Sequence, residues 1–543
     1  MEPASTFPQL LADVVAEHAD HDALVFGEEV LTYAELERRS SRLARALLAL
    51  GVGKGTRIGV LAPDSPLMLT TFYAALRIGA LVTPISTLAT ATELAHILRN
   101  SDAQILIGVR EFLSHDYAQR LETALPGLSD SAACTLRLAA VPYLRSIWLD
   151  NATRLGWARS TDDLLQRADA PDAPDGALLA AVEREVAPSD EAFVVYTSGS
   201  TATPKAVVHG HWATARQPAV LATYFDVRSS DRTLCLLPAF WMGGISAALQ
   251  VLSTGGTLVY PTGPDLEVVL DTIDRHAVTN IVIWHMLAKL RAAAEARHMD
   301  LASIKITTGP SWDGQGNEIP RHLQSRMLGM SESFAPHSAE PITRRLPESK
   351  SGAAGRAVNG IERRVVDPKT GTEVPAGEVG ELQLRGGALM KGFYKADPRG
   401  VFTADGFFPT QDLVRIDADG YAFFVGRTGD MIKSNSANVS RLEVEEAMNA
   451  LPEVELALVT GLPDTERGEI VAAAVIPAHG SAPTEDDLRT RLRETLSSFK
   501  IPRRIVFIAH DDVPRTPTGK VKLYELAQLL TTSGSHNTST IVR

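Results

Sequence analysis

The chain has 543 residues, 45% of them hydrophobic, which allows roughly two to four domains with ample core and excludes a disordered chain. A net charge of −12 gives no support to a nucleic-acid partner, and two cysteines, Cys134 and Cys235, are too few for a disulfide framework and lack metal-ligand spacing, which fits a reducing cytoplasm. No basic start with an apolar core opens the chain, and no apolar run reaches about eighteen residues, so neither a secretory signal nor a membrane span is expected.

In chain order, Thr32 with Glu35 three residues later has the form of a capping box opening a helix. Leu36, Leu43, Leu47 and Leu50 keep helical spacing, and Gly51 suits the position just past the end. Residues 56–62 predict a strand, 67–78 a helix and 80–84 a second strand, an alternation that implies parallel α/β layers. Residues 114–185 give no clear periodicity, and 169–176, rich in Asp, Ala and Pro, read as a surface loop. Residues 191–196 are apolar and β-branched, a buried strand, and Val207 and Val208 return into another.

Between those two strands, residues 197–205 carry five hydroxyls (Thr197, Ser198, Ser200, Thr201, Thr203), Gly199 and Lys205. Hydroxyls and free N–H groups on a tight loop can bind anionic oxygens. One ammonium about 4 Å from a phosphate gains about 4 kcal/mol at an effective dielectric of about 20, before desolvation. The spacing is not that of a Walker loop. Two readings stay open on these residues alone, an anion cradle and a Ser/Thr-rich turn with a solvated lysine. Further strands are expected at 233–238, 255–260 and 279–284, then at 454–461 and 469–477, with a helix over 442–448. His285 reads as a core or rim histidine rather than a ligand. The tail, 531–543, is Ser/Thr-rich and is expected to fray.

Thr197 to Lys205 resembles the AMP-binding signature of the ANL superfamily of adenylate-forming enzymes, which contains acyl-CoA synthetases, peptide-synthetase adenylation domains and luciferases. The resemblance spans residues 20 to 525 through six motifs in family order. It implies an α/β fold: a large N-terminal acyl-adenylate-forming domain of layered sheets and helices over 1–428, a small mobile C-terminal α+β domain over 429–530, and a tail from 531. Thr308, Gly309 and Pro310 stand where the family has a segment beside adenine. Gly329, Met330, Ser331 and Glu332 match Gly-x-Thr-Glu, whose hydroxyl meets the α-phosphate and whose glutamate helps hold Mg2+. Asp412 resembles the aspartate that accepts both ribose hydroxyls, and Arg427 the arginine before the hinge, here at Gly429. Trp241, in the place of a usual histidine, Gly243 and Met327 fall at the acyl pocket; Trp241 reads equally as a core aromatic. Lys433 aligns with a lysine near the thioester-forming site, and Ser436 with a glycine that lets pantetheine pass. Lys520 resembles the lysine that bridges the acid carboxylate and the α-phosphate.

The resemblance implies an acyl-CoA ligase: a carboxylate attacks Mg·ATP to give acyl-AMP and pyrophosphate, the small domain turns about Gly429, and the CoA thiol expels AMP. Lys520, Lys433 and Glu332 are the catalytic candidates, with ATP, Mg2+ and CoA as cofactors. Departures from the family pattern gather around ATP: Ala202 and Ala206 for glycine, Met327 for glycine, Leu328 for an aromatic, Gln411 for glycine. They raise an alternative in which adenylation is lost and only the CoA step remains, fed by a partner adenylating enzyme. A stand-alone enzyme loading a carrier protein is a second alternative. Trp241 and Met327 point to an altered pocket for a bulky or cyclic acid of secondary metabolism. The expected partners are small molecules, with no nucleic acid and no membrane, in a cytoplasmic monomer or homodimer.

Overall fold

A computed structural model describes residues 3–197, 204–284, 286–307, 311–313, 315–427, 431–434, 437–515 and 521–532, without the side chains of 426, 427, 431, 438 and 442. The chain forms two compact units, one of Met1–Thr87, Leu94–Tyr196 and Ala206–Thr428, the other of Leu88–Glu93, Thr197–Lys205 and Gly429–Arg543.

The larger unit is layered α/β. Arg57–Leu61, the helix Pro66–Arg77 and the strand Leu81–Pro84 follow in sequence, and the two strands pair in parallel, Ile58 opposite Val82. Ile105–Gly108 and Ser146–Leu149 extend that sheet on one side; Glu191–Thr197, Lys205–Gly210 and Gly392–Phe393 extend it on the other. Central strands such as Leu81–Pro84 are buried on both faces, as a sheet covered by helices requires. A second sheet runs Lys305–Ile306, Asn280–Val282, Arg232–Cys235, Thr257–Tyr260, Asp22–Phe26, Glu29–Thr32, parallel but for the last hairpin. An antiparallel sheet follows, built of Glu362–Val366, Val379–Arg385, Phe408–Ile416 and Ala422–Arg427.

Helix boundaries follow local chemistry. Thr32 Oγ1 accepts from the Glu35 N–H at 3.2 Å, so Thr32 is the cap of Tyr33–Ala49. The Glu35 carboxylate, expected to return to the cap, pairs with Arg38 and Arg39 at 2.8 and 2.7 Å; charge-assisted bonds outcompete a neutral one. Leu36, Leu43 and Leu47 are buried on one stripe, and Gly51 takes φ +77°. Residues 114–185 contain the helices Tyr117–Ala124, Thr161–Gln166 and Gly176–Glu185, each too short to show a period in sequence. The loop over 169–176 is pinned: Arg45 Nε donates to the Pro174 carbonyl at 2.5 Å.

In the smaller unit Val454–Asp464 and Gly468–Pro477 form a long antiparallel pair, joined by Met431–Ser434, Ala437–Ser440 and Arg504–Phe507. Alternation along Gly468–Pro477 sends Val471, Ala473 and Val475 to one core with Val444, Met448 and Leu492, and Ala472, Ala474 and Ile476 to another with Leu526 and Leu530. The strand is buried on both faces because helices cover each. No helix among the described residues is long and apolar enough to cross a membrane.

Candidate active site

Gly329, Met330, Ser331 and Glu332 sit on a tight reversal. Leu328–Met330 pairs antiparallel with Ala335–Ala339, and residues 331–333 make one 3-10 turn between them. A Cβ at Gly329 would stand 2.7 Å from the Ala335 carbonyl oxygen, so only glycine fits. Phe334 and Ala335 close the turn at φ +59° and +96°. The Glu332 carbonyl accepts from the Met390 N–H at 2.8 Å, and the half-buried side chains of Ser331 and Glu332 project from a turn held at both ends. A carboxylate is a hard oxygen donor, and Mg2+ takes one or two carboxylates with substrate phosphates, so Glu332 fits that ion. Among the described residues no group of three or more His, Cys, Asp or Glu could hold a metal.

Asp412 and Arg427 face each other in register on Phe408–Ile416 and Ala422–Arg427. Asp412 is buried, its N–H bonded to Thr410 Oγ1 at 3.1 Å, while the Thr410 hydroxyl donates to the Leu382 carbonyl at 2.7 Å. Gln411, beside it, takes φ +63° and donates its N–H to Glu381 Oε1 at 3.0 Å. Met327 is also left-handed, at φ +39°. At both positions a side chain occupies backbone that favours glycine. Ala206 differs: it lies extended in Lys205–Gly210 and carries no such cost. Leu328 is half-buried in its strand.

Trp241 caps the helix Met242–Thr254, half-buried and edge-on to Phe240 at 5.7 Å. A Cβ at Gly243 would meet Leu237 Cδ1 at 3.1 Å and Trp284 Nε1 at 3.9 Å; at Gly244 it would meet the Pro238 carbonyl oxygen at 2.1 Å. The paired glycines therefore let the helix start close under the loop, and Trp284, 41% exposed, stands beside Gly243. Asp64 Oδ1 accepts from the Ala239 N–H at 2.6 Å and anchors the loop from the other side. Desolvation pushes the Asp64 carboxyl up to about 7; the group keeps some accessible surface but is enclosed by protein. Sequence reasoning passed over both Trp284 and Asp64. Trp284 ended an expected strand, and Asp64 is 175 positions from its partner.

Thr197 ends one strand and Lys205 begins the next. In the smaller unit Lys433 is exposed on Met431–Ser434, its N–H bonded to Glu469 Oε2 at 2.6 Å. Ser198, Gly199, Ser200, Thr201, Ala202, His285, Thr308, Gly309, Pro310, Gly429, Ser436 and Lys520 lie outside the described residues.

The Ser-Glu turn, the Asp412–Arg427 register pair and the loop at Trp241 all lie in the larger unit. The chain matches the AMP-binding enzyme model over residues 11–394 and the AMP-binding enzyme C-terminal domain over 443–520, and it belongs to that family. It is similar to a feruloyl-CoA synthase from Amycolatopsis, 30% identical over 92% of this chain and 94% of that one. It is likewise similar to an indoleacetate–CoA ligase from Aromatoleum aromaticum, 28% identical over 94% and 95%. Its fold matches o-succinylbenzoate CoA synthetase from Bacillus subtilis with TM-score 0.72 at 22% identity, over 96% and 98% of the two chains. The protein is an AMP-forming acid–thiol ligase, an acyl-CoA synthetase that uses ATP, Mg2+ and CoA.

Proposed function

We propose that the acid is aromatic and bulky, and that this chain carries out both half-reactions, adenylation and thioester formation. The observation that carries the substrate reading is the exposed Trp284 indole, 3.9 Å from where a Gly243 side chain would begin and close to the half-buried Trp241 two residues before that glycine, so that two indoles offer flat apolar surface at one helix start. Two similar proteins named for ferulate and indoleacetate, both aromatic carboxylates, support it.

In the proposed mechanism Asp412 accepts the ribose hydroxyls and Arg427 joins it from the facing strand. Ser331 Oγ donates to the α-phosphate. Glu332 would hold Mg2+, which neutralises phosphate charge when bound. Thr197 to Thr201 and Lys205 receive the pyrophosphate that leaves as the carboxylate oxygen bonds to the α-phosphorus, and Lys520 supplies counter-charge there. The smaller unit, with Lys433, then turns about Gly429 so that the CoA thiolate attacks the acyl carbonyl and AMP leaves. Domains of 1–428 and 429–530 and a cytoplasmic setting belong to this reading.

The test pairs pyrophosphate exchange over a panel of acids, ferulate and indoleacetate included, with thioester formation from synthetic acyl-AMP. We expect exchange with aromatic acids above that with octanoate. Thioester formation without exchange for any acid overturns the two-step reading, and exchange strongest with octanoate overturns the aromatic one.

A further inference from the structure

His209 lies on the strand Lys205–Gly210, fully buried, four residues after Lys205. Its ring is 5.2 Å from Phe193 and edge-on to Phe334 at 5.1 Å. Its Nε2 lies 2.8 Å from the Ser331 carbonyl oxygen, which can only accept, so Nε2 carries the proton. Nδ1 is buried without a partner, and a proton there would add an unmet donor. One tautomer is therefore selected, and it points at the turn that displays Ser331 and Glu332. The main chain reinforces the link: the Met390 N–H bonds the Glu332 carbonyl and the Lys391 N–H the Val208 carbonyl, each at 2.8 Å. Nothing in the chemistry assigned above uses His209, yet its ring hydrogen bond ends on that turn.

We propose that His209 is a positioning residue for adenylation: its Nε2–H grips the Ser331 carbonyl and so fixes where the Ser331 hydroxyl and the Glu332 carboxylate meet the nucleotide and its metal. The inference rests on the proposed roles of Ser331 and Glu332. The turn spans three residues with two left-handed residues after it; without His209 the Ser331 carbonyl keeps only the longer bond from the Phe334 N–H at 3.3 Å, inside the turn itself, so the turn can rotate without unfolding the strands on either side. The Ser333 hydroxyl and the Phe334 N–H bond only within the hairpin; the Met390 N–H at Glu332 and His209 at Ser331 tie it to the strands around it, and two such points set its orientation.

The test titrates Mg2+ at fixed fluorescent mant-ATP for wild type, His209→Gln, His209→Asn, His209→Phe and Glu332→Gln, with the thermal midpoint of each ligand-free protein read alongside. The glutamine amide reaches about as far as Nε2; asparagine is too short, and phenylalanine keeps the ring but not the donor. Half-saturation by Mg2+ should stay within about threefold of wild type for His209→Gln and rise about tenfold for His209→Asn and His209→Phe, with no matching order in thermal midpoint. Equal behaviour of the folded His209 variants, or a shift that tracks only the thermal midpoint, overturns the inference. An unchanged Mg2+ dependence in Glu332→Gln overturns the site reading and the inference with it; an impaired Glu332→Gln beside a normal His209→Phe overturns the inference alone.

Discussion

Gln411 shows how one residue departs from what its backbone asks. Its φ of +63° is ordinary for glycine and costs an L-residue about 1–2 kcal/mol. Glycine there would relieve that strain while adding freedom to the unfolded chain, worth about 0.4–1 kcal/mol the other way. Gln411→Gly should therefore stabilise by about 0.5–1 kcal/mol in urea titration, since the N–H bond to Glu381 is retained. A destabilised variant would show that the glutamine side chain holds the segment beside Asp412. Ala206 carries no such prediction: the family's glycine is replaced there in extended backbone, where alanine fits. Residue identity flagged both positions alike, and only the dihedrals separated them.

At the scale of elements, the hairpin joining Leu328–Met330 to Ala335–Ala339 decides whether the site exists. Its strands approach so closely that Gly329 has the Ala335 and Pro336 backbones within 2.9 Å of any added Cβ. Gly329→Ala forces backbone apart and should cost about 1–3 kcal/mol, with weakened Mg·ATP binding at temperatures where the protein remains folded. A variant with unchanged melting and unchanged nucleotide binding would mean the hairpin opens freely. The motif itself was legible, since Gly, Ser and Glu stand at family spacing. Its supports were not: Met390 and His209 lie 58 and 122 positions from the residues they hold. Helices and strands with strong local signals, such as Tyr33–Ala49 and Gly468–Pro477, fell within a few residues of expectation. Short helices between 117 and 185 did not, because helices of 8, 6 and 10 residues show too few repeats of a 3.6-residue period.

Over the whole molecule, buried titratable groups set how stability varies with pH. Burial lowers His209 and His211 to about 4, so the unfolded chain binds their protons first and stability falls as pH drops from about 6.5 toward 4. Asp64 runs the other way: its folded carboxyl sits near 7, so it erodes stability as pH rises from about 4 toward 7. The two effects oppose each other in the shared window. Asp64→Asn removes the opposing one and should steepen the rise of stability with pH between 4.5 and 6.5 by up to about 1.4 kcal/mol per pH unit, read by urea titration at several pH values. An unchanged slope would mean that Asp64 ionises normally in the folded state.

Composition and local patterning by themselves determined a multi-domain chain with parallel α/β layers, and the resemblance of six motifs implied two units and acyl-adenylate chemistry, because each of those signals is carried within a few residues of sequence. Only the tertiary structure decided that Trp284 stands beside Gly243, that Asp64 anchors Ala239, and that the His209 ring bonds the Ser331 carbonyl. Those contacts join residues tens to hundreds of positions apart, and no local preference of either partner announces the other.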